Sequence, residues 1–489
     1  MLDLIPTPPS LTSALPPEVL GHITNILADS LNISNVKDLK SLALVCKAFL
    51  PFCTALIFSQ IDASGRFENG RYRTQGQRLR RLSQVFTANP KLPKHVRKLE
   101  VHLDGGKESY ELYVRYQNTI LGFPNLIYLS SGAMAKPGPG SAVLAWQWRM
   151  IEHYLAQNTL CGLRIQSMAD LDFEKVLGCA SLREISLTGV QISSSIATTP
   201  SILGNNIFKI QIYGHSLFPL SVLSHLPCLK ALSLTHVKVI PSSLSEARCP
   251  SMMLESLCLY LKSIDDLRAF CDFYKHHAQI SGSRPFEHLQ KFKTHIRDVE
   301  EAIISQTLLQ DVKYLVSLDI HCMCYIDAQP NLLLEHHFQA TFSRLTSFDL
   351  KIGLRKDSNS DQVLLYEQTM SLVCGLFERI PHMNVLETVS IFVKDDGWHY
   401  QEDEMDPTNI PTNPWGELAY MLASPQRFPR LHHVDFSLVL GYYYTSTRET
   451  TSITSWKPEN APETPFSFLI ASMVSLGHRL GDEFNLFIF

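Results

Sequence analysis

The sequence is poor in charged residues and contains no long hydrophobic run. Asp, Glu, Lys and Arg make up 18% of the 489 residues, below the roughly 25% usual in soluble proteins, whereas hydrophobic residues make up 45%. The formal net charge is −4, so the overall charge does not indicate nucleic acid or an anionic membrane as a partner. No apolar run reaches the ~18 residues that a membrane-spanning helix needs.

The N-terminus lacks basic residues, and the cysteines lack a regular pattern. No lysine or arginine precedes Lys37, so we expect neither a secretory signal peptide nor an arginine-rich transit peptide. The 11 cysteines are scattered and odd in number. Without a secretory signal, we expect them to be reduced, mostly buried thiols of a cytoplasmic or nuclear protein.

Motifs for catalysis or cofactor binding are also missing. The sequence has no Gly-x-Gly-x-x-Gly, no Walker loop and no Gly-x-Ser-x-Gly elbow. The Cys/His cluster at 321–324 lacks the second ligand pair of a zinc site, and its cysteines are predicted to be buried thiols. We therefore expect a non-catalytic protein with no catalytic residue, metal site or cofactor. An enzyme with an unrecognised signature is the alternative.

The segment 15–60 is predicted to form three short helices after a Pro/Ser/Thr-rich tail at 1–14, which is expected to be disordered. Pro17 suits a first helical position, and Glu18 follows in the first turn, where the helix dipole favours an acidic side chain. Apolar residues then recur at helical spacing. A module this small has a small core and commonly leaves one apolar face for a partner helix.

The same segment carries a recognisable pattern, Leu15-Pro16-x-Glu18-Val19-Leu20-x-x-Ile23, then Asp38-Leu39-x-x-Leu42-x-Leu44-Val45-Cys46-Lys47-x-Phe49, then Leu56-x-Phe58. It resembles the F-box, in the form found in many fungal proteins. In that family the motif binds the adaptor subunit of a cullin–RING ubiquitin ligase. The resemblance implies a set of adaptor-contacting residues: Leu15, Pro16, Val19, Leu20, Ile23, Leu42, Val45 and Cys46. A helical cap on the following array is the alternative.

Residues 61–90 are predicted to be a helical transition. An arginine run occupies this range, and apolar residues keep helical spacing within it. A solvated helix face is the favoured interpretation, and a phosphate or nucleic-acid patch is the alternative.

From residue 91 onward, segments of the form apolar-Pro-x-Leu-x-x-Leu-x-Leu recur, as at 226–234 and, with Ser in place of Pro and Phe in place of the second Leu, at 342–350. Each predicts a turn followed by a short strand with one buried face. The residues Leu229, Leu257, Leu289, Leu318 and Leu345 are 28, 32, 29 and 27 residues apart. This spacing is typical of leucine-rich repeats, which combine a strand with a helix.

We therefore predict an α/β protein: an N-terminal three-helix F-box, then a curved leucine-rich-repeat-like solenoid of short parallel strands and helices over 91–489. Insertions are expected near 131–150, 395–414 and 442–462. This half resembles the degenerate leucine-rich repeats that often follow an F-box, although it lacks their regular Asn or Cys ladder. A two-layer α/β domain is the alternative.

The function expected from this organisation is that of a substrate receptor in a cullin–RING (SCF-type) ubiquitin ligase. The partners would be the adaptor and cullin complex and an unidentified protein substrate, with no nucleic acid or membrane. Strand positions between the leucines are predicted to bind substrate: Glu184, Ser186, Ser233, Cys258, Asp319, Asp349, Lys351 and Asp435. An interaction scaffold without ligase association is the alternative, favoured by the long loop at 29–37 and by Phe49, where the family often has Trp.

Overall fold

The computed structural model describes residues 16–29, 36–45, 47–64, 66–68, 71–103, 107–133, 142–192, 206–241, 253–282, 286–309, 312–324, 344–354, 373–378, 380, 384–395, 414–440, 474–480 and 484–488. The predicted tail and the predicted insertion at 442–462 lie outside these residues, as does most of 395–414. The chain divides into two compact units, Met1–Ile207 and Phe208–Phe489. The boundary falls inside the range that the leucine spacing predicts to be one array.

The first unit begins with three short helices, where the sequence predicts them: α1 (Pro17–Asp29), α2 (Val36–Val45) and α3 (Leu50–Ile57). Pro51 lies in the first turn of α3, where a helix does not need the missing N–H. Cys53 is the buried residue of this helix, and both α1 and α2 pack against α3.

The range 61–90, predicted to be a helical transition, contains strands as well as a helix. Its elements are β1 (Gln60–Asp62), the antiparallel hairpin of β2 (Arg66–Glu68) and β3 (Arg71–Arg73), and α4 (Gln75–Ala88). The hydroxyl of Thr74 caps α4 by accepting from the Gln77 N–H at 3.4 Å. Arg78, from the arginine run, pairs with Asp62 at 3.3 Å. At least this arginine therefore holds the fold together rather than lying on a solvated face.

A parallel sheet and its crossover helices form the rest of the first unit. β1 is followed in the sheet, in chain order, by β4 (Lys98–Leu103), β5 (Tyr128–Ala133), β6 (Gly162–Gln166) and β7 (Glu184–Thr188). The helices are the 3₁₀ helix Leu92–His95, α5 (Lys107–Arg115), α6 (Gln117–Ile120), α7 (Ala142–Ala156) and α8 (Phe173–Leu177). Within the predicted insertion near 131–150, residues 131–133 end β5 and 142–150 belong to the largely buried α7.

The described part of the second unit contains nine parallel strands, which neighbour one another in chain order, and a small side pair. These strands are β8 (Lys209–Tyr213), β10 (Ala231–Thr235), β12 (Ser256–Tyr260), β13 (Lys291–Ile296), β14 (Ser317–Cys324), β15 (Ser347–Leu354), β16 (Thr388–Asp395), β17 (His433–Leu440) and β18 (Phe484–Ile488). The side pair is β9 (Leu217–Pro219) with β11 (Lys238–Ile240). The helices are the 3₁₀ helix Leu220–His225, α9 (Ile264–Ser281), α10 (Val299–Leu309), 373–378, α11 (Pro414–Leu422) and α12 (Val474–Leu480).

One backbone contact recurs at the start of the strands. A single carbonyl of one repeat accepts hydrogen bonds from two consecutive N–H groups of the next. In the second unit, the carbonyl of Lys230 accepts from Glu255 and Ser256, and that of Glu255 accepts from Gln290 and Lys291. The same double contact occurs in the first unit, for example at the carbonyl of Arg97. This repeated contact sets each strand at the same height as its neighbour.

The resulting register corrects the leucine spacing. Leu232, Leu257, Phe292, Leu318 and Phe348 are successive partners across the sheet, and all are buried. The intervals between them are therefore 25, 35, 26 and 30 residues. Leu229, Leu289 and Leu345 are not equivalent to Leu257 and Leu318, because each lies three residues before the buried row. The repeat length thus varies more than the sequence pattern indicates.

Phe292 provides a test of this buried row. It is among the largest fully buried side chains, so replacing it with alanine leaves a cavity between neighbouring strands. Phe292→Ala should lower the free energy of unfolding by about 3–5 kcal/mol, measured by urea denaturation followed by circular dichroism. Lys291→Ala, on the exposed face of the same strand, is the matched control. Equal effects of the two changes would contradict the register.

Candidate functional site

The exposed side of the parallel strands in the second unit carries one continuous row of polar side chains. Strand residues alternate between buried and half-exposed positions, as in Ala231–Thr235 and Ser256–Tyr260. The central row, defined by successive strand partners, consists of Gln211, Ser233, Cys258, Lys293, Asp319, Asp349, Ser390 and Asp435. The predicted residues Ser233, Cys258, Asp319, Asp349 and Asp435 therefore lie on a single row.

The middle of the central row is an ion-pair network. Lys293 pairs with Asp319 on the next strand. Lys351 lies two residues beyond Asp349, and its ammonium group is 3.1 Å from Asp349 and 3.7 Å from Asp319. The predicted residue Lys351 thus joins two predicted aspartates. Because one oxygen of each carboxylate (Oδ1) is buried without a hydrogen-bond partner among the described residues, the network is only partly satisfied.

A second row, two residues further along the strands, is rich in rings. Tyr260 and His295 stack with their planes 6° apart and their centroids at 5.3 Å. His321 follows on the next strand, 4.9 Å from the His295 ring. The Lys293 ammonium lies 5.6 Å from the centre of the Tyr260 ring, within cation–π distance. This part of the face combines flat apolar surface with charge, which is a common composition of protein-binding sites.

Burial changes the acid–base behaviour of this cluster. The pKa of His295 is lowered from 6.5 to about 4, mainly by burial and in addition by the nearby His321, Arg297 and His236. Burial also lowers the pKa of His321. For Asp349, burial and the charge of Asp319 raise the pKa. Both imidazoles are therefore neutral at pH 7 and act there as aromatic and hydrogen-bonding groups rather than as cations.

Glu184 and Ser186 do not join this cluster, because they lie on β7 in the other unit. Ser186 is the strand partner of Arg164. On the next strands, Arg164 is the partner of Ser130, and Ser130 is the partner of Glu100. Glu184 is the partner of Gly162. The predicted substrate-binding residues are therefore distributed over both units.

The predicted adaptor-binding residues differ widely in exposure. Pro16 is exposed, Val19 is 39% exposed, and Ile23 and Leu42 are half-buried. Leu20, in contrast, is 4% exposed and belongs to the core of the module. Leu15, Cys46 and the side chain of Val45 lie outside the described residues.

The site residues predicted from the sequence do not include several prominent exposed side chains. In the helical module these are Leu44, 88% exposed, Ile26, 52% exposed, and Leu50, 49% exposed. On the strand face they are Lys293, Tyr260, His295 and His321. The alternation of Ser256–Tyr260 and Lys291–Ile296 already places Tyr260, Lys293 and His295 on the exposed side of their strands. That signal was available in the sequence once each strand's start was known.

The described part of the chain contains neither a candidate metal site nor a helix that could span a membrane. Its His, Cys, Asp and Glu residues form no group of three or more that could hold a metal ion. Cys322 is buried, whereas the side chain of Cys324 lies outside the described residues. Among the described helices, none has the length and apolar character needed to cross a bilayer.

Comparisons with known proteins do not identify a family for this chain. No protein-family model matches it, and no curated protein matches it. Among solved structures, an internalin (inlF) from Listeria monocytogenes str. 4b F2365 is similar over 74% of this chain and 87% of its own, with 12% identity and a TM-score of 0.29. A similarity this weak does not establish a shared fold or function. The architecture follows from the pairing of the strands in this protein.

The low pKa of His295 predicts how stability responds to acid. A neutral His295 stabilises the fold above pH 6.5, and this contribution is lost as the pH falls toward 4, because the unfolded chain binds the proton more tightly. Acidification over this range should therefore lower the Tm of the native protein more than that of His295→Gln, by a difference on the order of 2 °C. Differential scanning fluorimetry measures it. His288→Gln, which changes an exposed histidine, should behave like the native protein; no difference between the two variants would refute the prediction.

Proposed function

We propose that this protein is a non-catalytic substrate receptor of a cullin–RING (SCF-type) ubiquitin ligase. The N-terminal three-helix module docks on the ligase adaptor, and the strand faces bind a protein substrate. The F-box-like pattern of residues 15–58 supports the first part. The second part is supported by the polar and aromatic rows on a parallel-strand repeat fold, which offers a long surface and needs no catalytic group.

The observation that carries the proposal is the apolar exposure of the small helical module. Leu44 leaves 88% of its surface exposed, although it lies near the end of a helix that packs against α3. Val19 and Ile26, seven residues apart on α1, lie about 20° apart around the helix axis and are also exposed. Large apolar side chains exposed on two helices of one small module are typical of a module that a partner covers.

The proposed mechanism is tethering. A substrate held on the repeat face has its lysines kept at a high effective concentration near the conjugating enzyme that the ligase recruits. No residue of the receptor takes part in the transfer of ubiquitin. The receptor contributes specificity, through the side chains that contact the substrate, and proximity, through the adaptor-binding helices.

A scaffold without ligase association is the second candidate. It is favoured by the position of Leu20, one of the residues that the F-box resemblance assigns to the adaptor contact, inside the module. Phe49, where the family often has Trp, favours it further, whereas the connection between α1, which ends at Asp29, and α2, which begins at Val36, is shorter than the loop predicted at 29–37. In this case the three helices serve as a cap on the repeat fold, and the strand faces alone carry the function.

A substitution of Leu44 distinguishes the ligase receptor from the scaffold without ligase association. Leu44→Glu places a charge in the exposed apolar surface and should weaken pull-down of the recombinant ligase adaptor by about tenfold or more. The Tm should not change, because Leu44 has little packing to lose. Asn25→Glu is the matched control: Asn25 is exposed on α1, about 120° around the axis from Val19. This control should bind like the native protein.

Two outcomes would contradict the ligase proposal. One is an absence of adaptor binding by the native protein, and the other is native-like binding by Leu44→Glu. Leu20→Glu is unsuitable for this test, because Leu20 is buried and a charge there would unfold the module.

A further inference from the structure

A groove crosses the exposed strand face of the second unit, beside the ion-pair network. Its volume is about 540 Å³, within the range of ligand pockets in proteins. Small side chains on two adjacent strands form its floor: Ala231, Ser233, Thr235, Ser256 and Cys258. The bordering strands β8 and β13 are three strand spacings, or about 14 Å, apart. This width admits an extended peptide segment.

Long side chains border this floor. Lys209 and Tyr213 stand on β8, Tyr260 at the end of β12 and Lys293 on β13. The two tyrosines flank Thr235 in the same row, since Thr235 is the strand partner of both. The groove therefore exists because residues with small side chains occupy two strands between strands that carry long ones.

The charged side chains that line the groove are lysines, and the carboxylate of Asp319 lies beside it, bound to Lys293. Lys209 and Lys293 line the groove, and no carboxylate does so among the described residues. Burial raises the pKa of the Cys258 thiol and of the Tyr260 phenol, so both remain neutral at pH 7. Burial is the largest single effect on the pKa of Lys293 and lowers it, but the hydrogen bond to Asp319 and the charges of Asp319 and Asp349 together outweigh burial and raise the pKa. Lys293 is therefore a cation in this setting.

Lys293 can bind a ligand without leaving Asp319. An ammonium group has three donors, and the contact with Asp319 uses one of them. Lys351, whose ammonium lies 3.7 Å from Asp319, supports that carboxylate from the other side. A carboxylate in the groove would thus add a charge-assisted hydrogen bond at Lys293 while the aspartate keeps its cationic neighbours.

We propose that this groove binds an extended acidic segment of a protein partner, with a carboxylate on Lys293 and a side chain of the segment between Tyr213 and Tyr260. The inference rests on the proposed function, since it names the kind of substrate that the strand face recognises. Charge complementarity selects the acidic segment. A groove with two lysines is too small a basic surface to follow a nucleic-acid backbone.

The test uses the full chain and a displayed library of short random peptides. Peptides selected by the native protein should be enriched in Asp and Glu. Fluorescence anisotropy of a selected peptide should show about tenfold weaker binding for Lys293→Gln and for Ser233→Glu, which places a negative charge on the floor. Lys293→Arg should retain most of the affinity. Lys291→Gln is the matched control on the same strand, because Lys291 does not line the groove.

Several results would overturn the inference. These are selection of basic or uncharged peptides, equal binding by Lys293→Gln and the native protein, and loss of binding in Lys291→Gln. Binding of a phosphoserine peptide but not of its glutamate counterpart would assign the groove to phosphate instead. Stronger competition by a single-stranded oligonucleotide than by an acidic peptide would assign it to nucleic acid.

Failure of this inference is distinguishable from failure of the ligase proposal. Leu44→Glu should bind the acidic peptide normally, and Lys293→Gln should bind the adaptor normally. An intact Tm for Lys293→Gln and Ser233→Glu separates loss of binding from loss of folding.

Discussion

The architecture depends on one backbone contact, the carbonyl that accepts two N–H groups from the next repeat. This contact recurs from Ser59, which receives Arg97 and Lys98, to Glu387, which receives His432 and His433. It places each strand that receives it at the same height as the preceding strand, and the alternation of strand side chains then separates a buried row from an exposed row. A shift of one residue would exchange the two rows. The buried apolar row and the exposed polar row are thus two results of the same constraint.

This constraint also explains why the repeats lack a regular side-chain signature. Where Asn or Cys side chains form a ladder, the ladder is visible in the sequence. Here the recurring contact is made by the main chain, so residues as different as Lys230, Glu255, Gln290 and Val316 provide the accepting carbonyl. The sequence remains free to vary in repeat length, which runs from 25 to 35 residues between partners in the part of the second unit from Leu232 to Phe348.

The sequence predicts the strands well and their register less well. The pattern Leu-x-x-Leu-x-Leu has two apolar residues three positions apart, and nothing in it tells which one enters the strand. Leu229 and Leu257 therefore looked equivalent, although Leu232 is the true partner of Leu257. The helix α7 was missed for a different reason. It directly follows a Pro/Gly-rich stretch that predicts an insertion, although its buried residues, including Trp146, Gln147, Met150 and Ile151, keep the spacing of a single helix face.

The candidate site was likewise predictable only in part: its single residues could be found from the sequence, but their grouping could not. Polar residues between leucines are visible in the sequence, so Ser233, Asp319, Asp349 and Asp435 were found and lie on one row. Their grouping with Tyr260 and Lys293 was not foreseeable, because it depends on which strands are neighbours and on where each strand begins. In the helical module, the pattern of apolar residues does not show that Leu20 is buried in the small core whereas Leu44 is exposed. Burial follows from the packing of α1 and α2 on α3, which the pattern does not contain.

The ion-pair network is costly for a structure selected for stability alone. Asp319 and Asp349 each keep one buried oxygen without a hydrogen-bond partner among the described residues, and like charges on neighbouring strands repel. Apolar residues at the same positions would avoid the loss of hydration and generally stabilise a fold as well or better. Polar groups that remain only partly satisfied in this way are typical of surfaces whose residues are set by recognition. The adjacent groove, with its neutral thiol and phenol and its cationic Lys293, lies where that recognition would be most selective.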